Sequence, residues 1–249
     1  MRWLLAIAGL AASQPILAKD CAVVLHGLGR TSFSMSRIAS ALLRGGYLVV
    51  NESYRSRKAS IVELSGVVGE GVRECRKLGA DQIDFVTHSL GGILVRVYFQ
   101  EHVVPEARRV VMLAPPNHGS EIADAFGKKW WYRYFTGRAG QELGTSSKGI
   151  VNSLTEIPLE IGIIAGTNSI DPWFASVMPK PNDGKVSVES SKLPEMQDFI
   201  AVPYTHTFMA RRAAVITQVV HFLTNGTFNH DFADLAIPSP IVGGVKPNK

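Results

Sequence analysis

The strongest chemical signal in the sequence is a serine between a buried strand and a helix. Ser89 stands in residues 85–94, where an apolar run passes at once into a helical pattern. This arrangement places a serine on a sharp bend with its hydroxyl above the sheet. Gly91 supplies a small residue that so tight a turn needs, whereas Thr87 stands where the G-x-S-x-G pattern has its first glycine. The segment predicts nucleophilic attack by Ser89, and the alternative is a serine that caps an ordinary helix.

Backbone N–H groups that could stabilise an oxyanion occur on both sides of this turn. The helix after Ser89 directs its N-terminal N–H groups toward the serine. Residues 26–29, His-Gly-Leu-Gly, follow the first apolar run, and glycines allow close approach to a substrate oxygen. We therefore predict Leu28 and Leu90 as oxyanion-hole donors. The alternatives are a plain connecting turn or a phosphate loop, and the glycine spacing disfavours the latter.

Short apolar runs alternate with helical patterns along the chain and must position these residues. The predicted strands cover residues 22–26, 47–50, 82–86, 109–114, 160–165 and 198–202. The predicted helices cover residues 34–44, 61–78, 91–100 and 211–223. Because parallel strands need crossover connections, this alternation predicts an α/β domain with a doubly wound, mainly parallel sheet.

Length and composition fit one globular domain. The chain has 249 residues, of which 46% are hydrophobic, and a formal net charge of +5. A modest positive excess favours anionic surfaces such as phospholipid, but the basic residues are scattered and form no dense stripe, so no nucleic-acid partner is expected. No Cys/His cluster and no H-E-x-x-H motif is present, so we expect neither a metal nor a cofactor.

The two ends of the chain read differently from its middle. Residues 1–18 combine Arg2, an uncharged apolar run and a small residue before Lys19, which predicts a signal peptide and an exported protein, periplasmic or secreted. An uncleaved N-terminal anchor is the alternative. In an oxidising compartment Cys21 and Cys75 could form a disulfide, and two buried free thiols are the other possibility. Residues 224–249, rich in Pro, Gly and Asn, predict a loosely packed extension.

A long connection over residues 119–154 interrupts the alternation. It holds an aromatic cluster, from which we predict substrate-binding roles for Trp130, Trp131 and Tyr134. The nearby basic side chains of Lys128, Lys129 and Arg133 suggest contact with lipid phosphates at a membrane surface. The alternative is that the aromatics fill a small satellite core under the loop.

Three segments together resemble the bacterial lipase and esterase branch of the α/β-hydrolase superfamily. They are His-Gly-Leu-Gly at 26–29, Thr-His-Ser-Leu-Gly-Gly at 87–92 and Ala-Pro-Pro-Asn-His-Gly-Ser at 114–120. The resemblance covers Cys21 to Leu223. It implies the α/β-hydrolase fold over residues 19–223, with a cap or lid inserted at 119–154. Thr87 departs from the family pattern, in which related small lipases carry alanine.

The resemblance also implies the other members of a catalytic triad, which follow the serine in the order acid, then histidine. His206 lies between the last predicted strand and the last helix, where a base faces the carboxyl end of the sheet. Residues 182–186, Asn-Asp-Gly-Lys-Val, resemble the acid-bearing segment of family lipases, so Asp183 is the predicted acid and Asp171 the second choice. The alternative for Asp183 is an ordinary Asp-Gly turn.

Together these residues imply hydrolysis of carboxylic esters through an acyl-enzyme on Ser89. Lipase, phospholipase and plain esterase all stay open, and so do an amidase or acyltransferase with the same triad. A non-catalytic binding protein with the hydrolase fold is a rival of another class. The expected partner is an ester or lipid substrate, with peripheral contact to a membrane surface, and the expected state is a monomer.

Overall fold

The computed structural model describes residues 19–171, Phe174 and residues 177–231. The predicted signal peptide and the end of the predicted extension lie outside these residues. Six strands are present in the described part of the chain: β1 (Asp20–Leu25), β2 (Leu48–Val50), β3 (Gln82–His88), β4 (Ala107–Leu113), β5 (Glu160–Gly166) and β6 (Asp198–Val202). All neighbouring strands pair in parallel in the order β2-β1-β3-β4-β5-β6, which confirms the predicted parallel sheet.

Helices cover both faces of this sheet. They are α1 (Ser36–Arg44), α2 (Ile61–Lys77), α3 (Leu90–Glu101), α4 (Glu121–Phe126), α5 (Trp130–Gln141), α6 (Val188–Ser191) and α7 (Ala213–Asn225). The helices α2 and α3 pack on one face, and α1 and α7 pack on the other. Within the described residues, no helix has both the length and the apolar composition that crossing a membrane requires.

Alternate side chains of each central strand belong to different cores. In β1, Val23 and Leu25 join the core under α2 and α3, whereas Ala22 and Val24 join the core under α1 and α7. A strand buried on both faces needs apolar residues at every position, because neither face meets water. This explains why the strands appear in the sequence as nearly continuous apolar runs.

A disulfide joins the start of β1 to the last turn of α2. Cys21 and Cys75 are bonded, their Cα atoms lie 5.8 Å apart, and both side chains are fully buried. Of the two possibilities left open by the sequence, the structure contains the disulfide rather than two free thiols.

The first residues after α7 pack against the domain. The helix α7 ends at Asn225, and Gly226 closes it in the left-handed conformation at φ 78°. Phe228 is buried and its ring lies 4.9 Å from that of Phe222 in α7, while its backbone N–H donates to Asp198. Residues 226–231 therefore pack against the domain, which differs from the expectation of a loose extension from residue 224.

Candidate active site

Ser89 occupies the turn between β3 and α3 in a strained backbone conformation. Its φ is 54° and its ψ is −121°, a region that non-glycine residues rarely adopt. The Ser89 N–H donates to the carbonyl of Leu113 in β4 at 2.8 Å, which holds the turn against the sheet. A Cβ at Gly91 would lie 2.9 Å from the carbonyl oxygen of Leu25, so this turn requires a residue without a side chain there.

Thr87 fits because α3 has a glycine, with no side chain, at the position that faces it. Its side chain is fully buried in β3, between Leu25 of β1 and Met112 of β4. A Cβ at Gly92 would lie 3.3 Å from Thr87 Oγ1. Glycine at position 92 thus leaves room for threonine at the position where the G-x-S-x-G pattern has its first glycine.

The loop after β1 approaches Ser89 closely. A Cβ at Gly27 would lie 3.1 Å from Ser89 Cβ and 3.0 Å from His88 Nδ1. Gly29 has φ 67° and donates its N–H to Ser56 Oγ at 2.9 Å. No described residue accepts a hydrogen bond from the N–H of Leu28. Leu28 also lines the cavity that contains Ser89, so its N–H is available for an oxyanion, together with that of Leu90 at the start of α3.

His26 holds this loop through both ring nitrogens. Its Nε2 accepts from the N–H of Tyr54 at 3.1 Å, so Nδ1 carries the proton and donates to the Gly27 carbonyl at 2.8 Å. The Tyr54 ring stacks on the imidazole at 4.1 Å, and its hydroxyl donates to the His26 carbonyl. Burial lowers the pKa of His26, because a charged ring would lose its hydration.

Asp183 and His206 form the hydrogen-bonded pair of the site. His206 Nδ1 lies 2.7 Å from Asp183 Oδ2, and the His206 N–H donates to the Asp183 carbonyl at 3.0 Å. The other carboxylate oxygen accepts from the N–H groups of Lys185 and Val186. The Asp183 side chain is fully buried, whereas His206 is 12% exposed. This arrangement fixes the ring orientation and leaves Nε2 facing the cavity.

Gly166, which the sequence analysis did not single out, lets the acid close on the base. It ends β5, and a Cβ there would lie 2.5 Å from the Tyr204 carbonyl oxygen and 2.7 Å from Asp183 Cβ. The second choice of acid, Asp171, instead forms an ion pair with Lys185 at 2.9 Å. The structure therefore brings Asp183, not Asp171, to His206.

His88 contacts the backbone of His206. Its Nε2 lies 3.0 Å from the His206 carbonyl oxygen, and a carbonyl can only accept, so Nε2 carries the proton. The two rings lie 4.7 Å apart. Burial, followed by the proximity of His206, holds the pKa of His88 well below its usual value, so the ring is neutral. The sequence analysis treated His88 only as part of the serine motif.

Arg96 is a second supporting residue that the sequence analysis missed. It is buried in α3, and its Nη1 donates to the backbone carbonyl of Asn117 at 3.1 Å while Nη2 reaches that of Leu154. It therefore ties together both ends of the insertion. A charge within the otherwise apolar run of α3 was the available signal, because buried arginines are rare unless they are partnered.

A cavity of about 300 Å³ joins these groups. Ser89, His206 and Leu28 all line it. Its apolar wall comes mainly from the insertion and includes Ile122, Trp131, Tyr132, Phe135, Leu143 and Phe174. Within the described part of the chain, no side-chain hydrogen bond to the Ser89 hydroxyl is present, so this hydroxyl is open to the cavity.

The aromatic cluster of the insertion divides between this cavity and the surface. Trp131 lines the cavity, whereas Trp130 and Tyr134 do not and are 78% and 74% exposed. Tyr132 is buried and Phe135 reaches the cavity rim, although neither was predicted to bind substrate. Helical geometry explains the division, since neighbouring residues on a helix point in different directions.

The insertion packs against Arg57 and against Leu28 in the loop after β1. The helix α5 bends at Gly137, whose φ is 66° and whose Cα packs directly against the backbone of Arg57. One turn on, a Cβ at Gly140 would lie 3.0 Å from Leu28 Cδ2. The insertion thus both covers the cavity and contacts the residue that supplies the predicted oxyanion donor. Among the described residues, no group of three His, Cys, Asp or Glu side chains could hold a metal ion.

Solved structures share this architecture at low sequence identity. Lipase BlEst2 of Bacillus licheniformis, in its mature form, matches with a TM-score of 0.70 and 19% identity over 88% of this chain and 97% of that chain. Phospholipase PlaB from Legionella pneumophila matches with a TM-score of 0.64 and 15% identity over 84% of this chain and 59% of that chain. The metagenomic carboxyl esterase MGS0156 matches with a TM-score of 0.59 and 17% identity over 83% of this chain and 71% of that chain.

These similarities, with the sheet order, show that the chain has the α/β-hydrolase fold, as predicted. No protein-family model and no curated protein sequence matches the chain.

Proposed function

We propose that this protein is a serine hydrolase of carboxylic esters, with Ser89 as nucleophile, His206 as base and Asp183 as acid. The observation that carries the proposal is the 2.7 Å contact of Asp183 with His206, in a cavity that also contains the strained Ser89. A serine that merely caps a helix needs neither positive φ nor a neighbouring acid–base pair. The lipases and esterases of the same fold support an ester substrate.

The reaction would proceed in two transfers of the acyl group. His206 Nε2 takes the proton of the Ser89 hydroxyl as Oγ attacks the ester carbonyl carbon. The carbonyl oxygen becomes an oxyanion held by the N–H groups of Leu28 and Leu90. The C–O bond to the alcohol then breaks, and the alcohol leaves with the proton from His206. Water, deprotonated by the same base, hydrolyses the acyl-enzyme and restores Ser89.

The cavity favours an ester with an apolar acyl part. The part of its wall that the insertion provides is largely aliphatic and aromatic, and such side chains bind acyl chains by the hydrophobic effect. Whether the acyl chain is short or long separates esterase from lipase. An amidase with the same triad would cleave an amide bond, and an acyltransferase would pass the acyl group to an acceptor other than water. Amide substrates and added alcohol acceptors distinguish these reactions from ester hydrolysis.

The outer face of α5 supports contact with a lipid surface. Trp130, Tyr134 and Phe135 are exposed there, beside the exposed basic side chains of Lys129 and Arg133. Exposed aromatics with flanking cations are typical of segments that lie in a membrane interface. We propose peripheral membrane contact through this face, so that the cavity mouth meets its substrate in the lipid.

The disulfide supports export. Disulfides persist in oxidising compartments, and Cys21 and Cys75 are bonded. Together with the signal-like residues 1–18, this favours a periplasmic or secreted protein.

The central test is a series of p-nitrophenyl esters of increasing acyl length, assayed with wild type and with Ser89→Ala. We expect turnover by wild type and a loss of at least about a thousandfold in the variant, because the nucleophile is gone. Ser40→Ala is the matched control, since Ser40 is exposed in α1 away from the cavity. Absence of turnover, or turnover that survives Ser89→Ala, would contradict the proposal. Amides of the same acids, and added alcohol acceptors, test the two rival reactions.

Membrane contact has its own test. After sedimentation with phosphatidylglycerol–phosphatidylcholine vesicles, wild type should be found in the vesicle pellet. The double variant Trp130→Ser/Tyr134→Ser should stay in the supernatant. Val103→Ser is the control, because Val103 is 85% exposed. It comes just after the C-terminal end of α3, whereas Ser89 precedes the N-terminal end. Equal sedimentation of all three proteins would rule out this face as the contact.

A further inference from the structure

A second cavity of about 330 Å³ adjoins the one that contains Ser89. Residues 29–34 form one side of it and residues 207–211 form the other. The two cavities share three lining residues, which are Arg30, His88 and Thr207. The cavities therefore adjoin next to the loop that carries His206, the proposed base. They are separated at most by the side chains of these shared residues.

The charge of the second cavity is positive and unbalanced. Arg30 and Arg211 line it, and none of the described residues in its wall is Asp or Glu. Neither arginine forms an ion pair with any described carboxylate. Arg30 instead donates to Thr207 Oγ1 at 3.2 Å, and the guanidinium of Arg211 lies 5.5 Å from the ring of Phe33.

Two further arginines extend this positive region. Arg37 donates from Nη1 to the carbonyl of Arg211, and Arg212 lies over the ring of Tyr204. Among the described residues these two also lack a carboxylate partner. Some arginines elsewhere are paired, as Arg76 is with Glu106 and Arg109 with Glu160, and others such as Arg73 are not, but only here do two of them line one cavity among those described. Like charges repel one another, so a cluster without counter-charge is set up to attract an anion.

The side chains that line the second cavity can bind a small anionic molecule with hydroxyl groups. Guanidinium groups bind phosphate and carboxylate through paired hydrogen bonds. The hydroxyls of Thr31 and Thr207 add polar contacts, while the exposed Phe33 and Phe208 provide an apolar rim. The acyl part of a substrate has its own apolar wall in the first cavity, which leaves the second cavity for the alcohol part.

We propose that the second cavity binds an anionic group, phosphate or carboxylate, carried by the alcohol part of the ester. The proposal rests on the proposed ester hydrolysis, and it narrows the substrates to esters of anionic alcohols. The leaving oxygen must lie near His206 to receive its proton, and the adjacent Thr207 lines both cavities, so the alcohol part lies next to the second cavity.

A pair of substrates with the same acyl group tests the proposal. Monobutyrylglycerol and monobutyrylglycerol phosphate both release butyrate, so one assay yields kcat/KM for each. We expect wild type to prefer the phosphate ester. Arg30→Gln and Arg211→Gln should each lower this preference about fivefold, and the double variant more, because each removes one exposed charge contact. Arg73→Gln, an exposed arginine of α2 remote from both cavities, should leave the preference unchanged.

Two results would overturn the proposal. One is equal kcat/KM for the two esters with wild type. The other is a preference for the phosphate ester that persists in the double variant. Raising the ionic strength should also reduce the preference, since exposed charges are screened by salt.

Calorimetric titration separates this proposal from the proposed function, because it needs no turnover. Glycerol 3-phosphate should bind wild type, bind the double variant at least tenfold more weakly, and bind better than glycerol. Binding of this kind without hydrolysis of either ester would contradict the proposed function while supporting the anion site. No binding of glycerol 3-phosphate, or equally tight binding of inorganic phosphate, would overturn the assignment of the cavity to a substrate's alcohol.

Discussion

His88 donates a hydrogen bond from Nε2 to the backbone carbonyl of His206 at 3.0 Å. The residue before the proposed nucleophile thereby holds the loop that carries the proposed base. Asp183 holds the same loop from the other side, through both its carbonyl and its carboxylate. The nucleophile turn and the base therefore keep their relative position through one buried side chain.

Replacing His88 tests this role. His88→Leu leaves the His206 carbonyl without its donor, and a small displacement of the base lowers kcat by about tenfold to a hundredfold. His88→Gln keeps a donor at a similar reach and should recover most of kcat. Because the hydrogen bond of His88 positions the base, kcat should change more than KM in the leucine variant. Equal kcat in the leucine and glutamine variants would show that only the volume of His88 matters.

The choice between the two candidate acids has a direct measurement. Asp183→Asn keeps the shape of the side chain but removes the charge that stabilises the imidazolium of His206, so kcat should fall by about 10⁴. Asp171→Asn is the matched control and should stay within a few-fold of wild type, because Asp171 pairs with Lys185 instead. A larger loss in the Asp171 variant would reverse the assignment.

Gly27→Ala should reduce activity without unfolding the protein. The new methyl group would lie 3.0 Å from His88 Nδ1 and 3.1 Å from Ser89 Cβ, so those atoms must shift by a few tenths of an ångström. A shift of the nucleophile relative to the oxyanion donors should lower kcat by about tenfold or more. Gly66→Ala is the control, since no atom lies within 4 Å of its added Cβ. That variant should keep its kcat and gain about 1 kcal/mol in the free energy of unfolding.

Loss of the disulfide should weaken the fold but not the chemistry. Cys21 and Cys75 are separated by 54 positions in the sequence, and releasing such a loop in the unfolded state costs about 4 kcal/mol of stability. Urea denaturation with and without dithiothreitol measures the difference. The Cys21→Ala/Cys75→Ala variant should match the reduced protein. Unchanged stability after verified reduction would contradict this prediction.

The free energy of unfolding should fall as the solution becomes mildly acidic. Burial lowers the pKa of His26 and of His88 in the folded protein below the ordinary value of 6.5. Below that pH the unfolded chain binds protons that the folded chain does not, so stability present above about pH 6.5 is lost as pH falls. His88, whose pKa is held well below its usual value, should contribute more to this loss than His26, up to the limit of about 1.4 kcal/mol per pH unit for one proton.

Urea denaturation at several pH values measures this loss in wild type and in His88→Gln. The glutamine side chain does not titrate, so the variant should lose less stability than wild type as the pH falls. Identical pH profiles for the two proteins would show that His88 does not stay neutral on folding.

Much of the scaffold could be predicted from the sequence because its signals are local. Strands buried on both faces need apolar residues throughout, and β6 matches its predicted range from 198 to 202. Helix starts are equally local. The helix α2 begins at its predicted first residue, Ile61, because Ser60 and Glu63 cap its N-terminus through reciprocal hydrogen bonds. The turn at Ser89 was recognisable because its strand, glycines and helix are contiguous.

Other features depend on residues that are distant in the chain. Trp130 and Trp131 are neighbours in sequence, yet only the packing of α5 decides that Trp131 faces the cavity while Trp130 faces outward. The hydrogen bond between His88 and His206 spans 118 residues, and no local pattern encodes it. Likewise, Arg30 and Arg211 become one positive cavity only when the loop after β1 folds against the segment before α7. Local periodicity determines which face of each element is buried, whereas tertiary contacts decide which polar groups meet above the sheet.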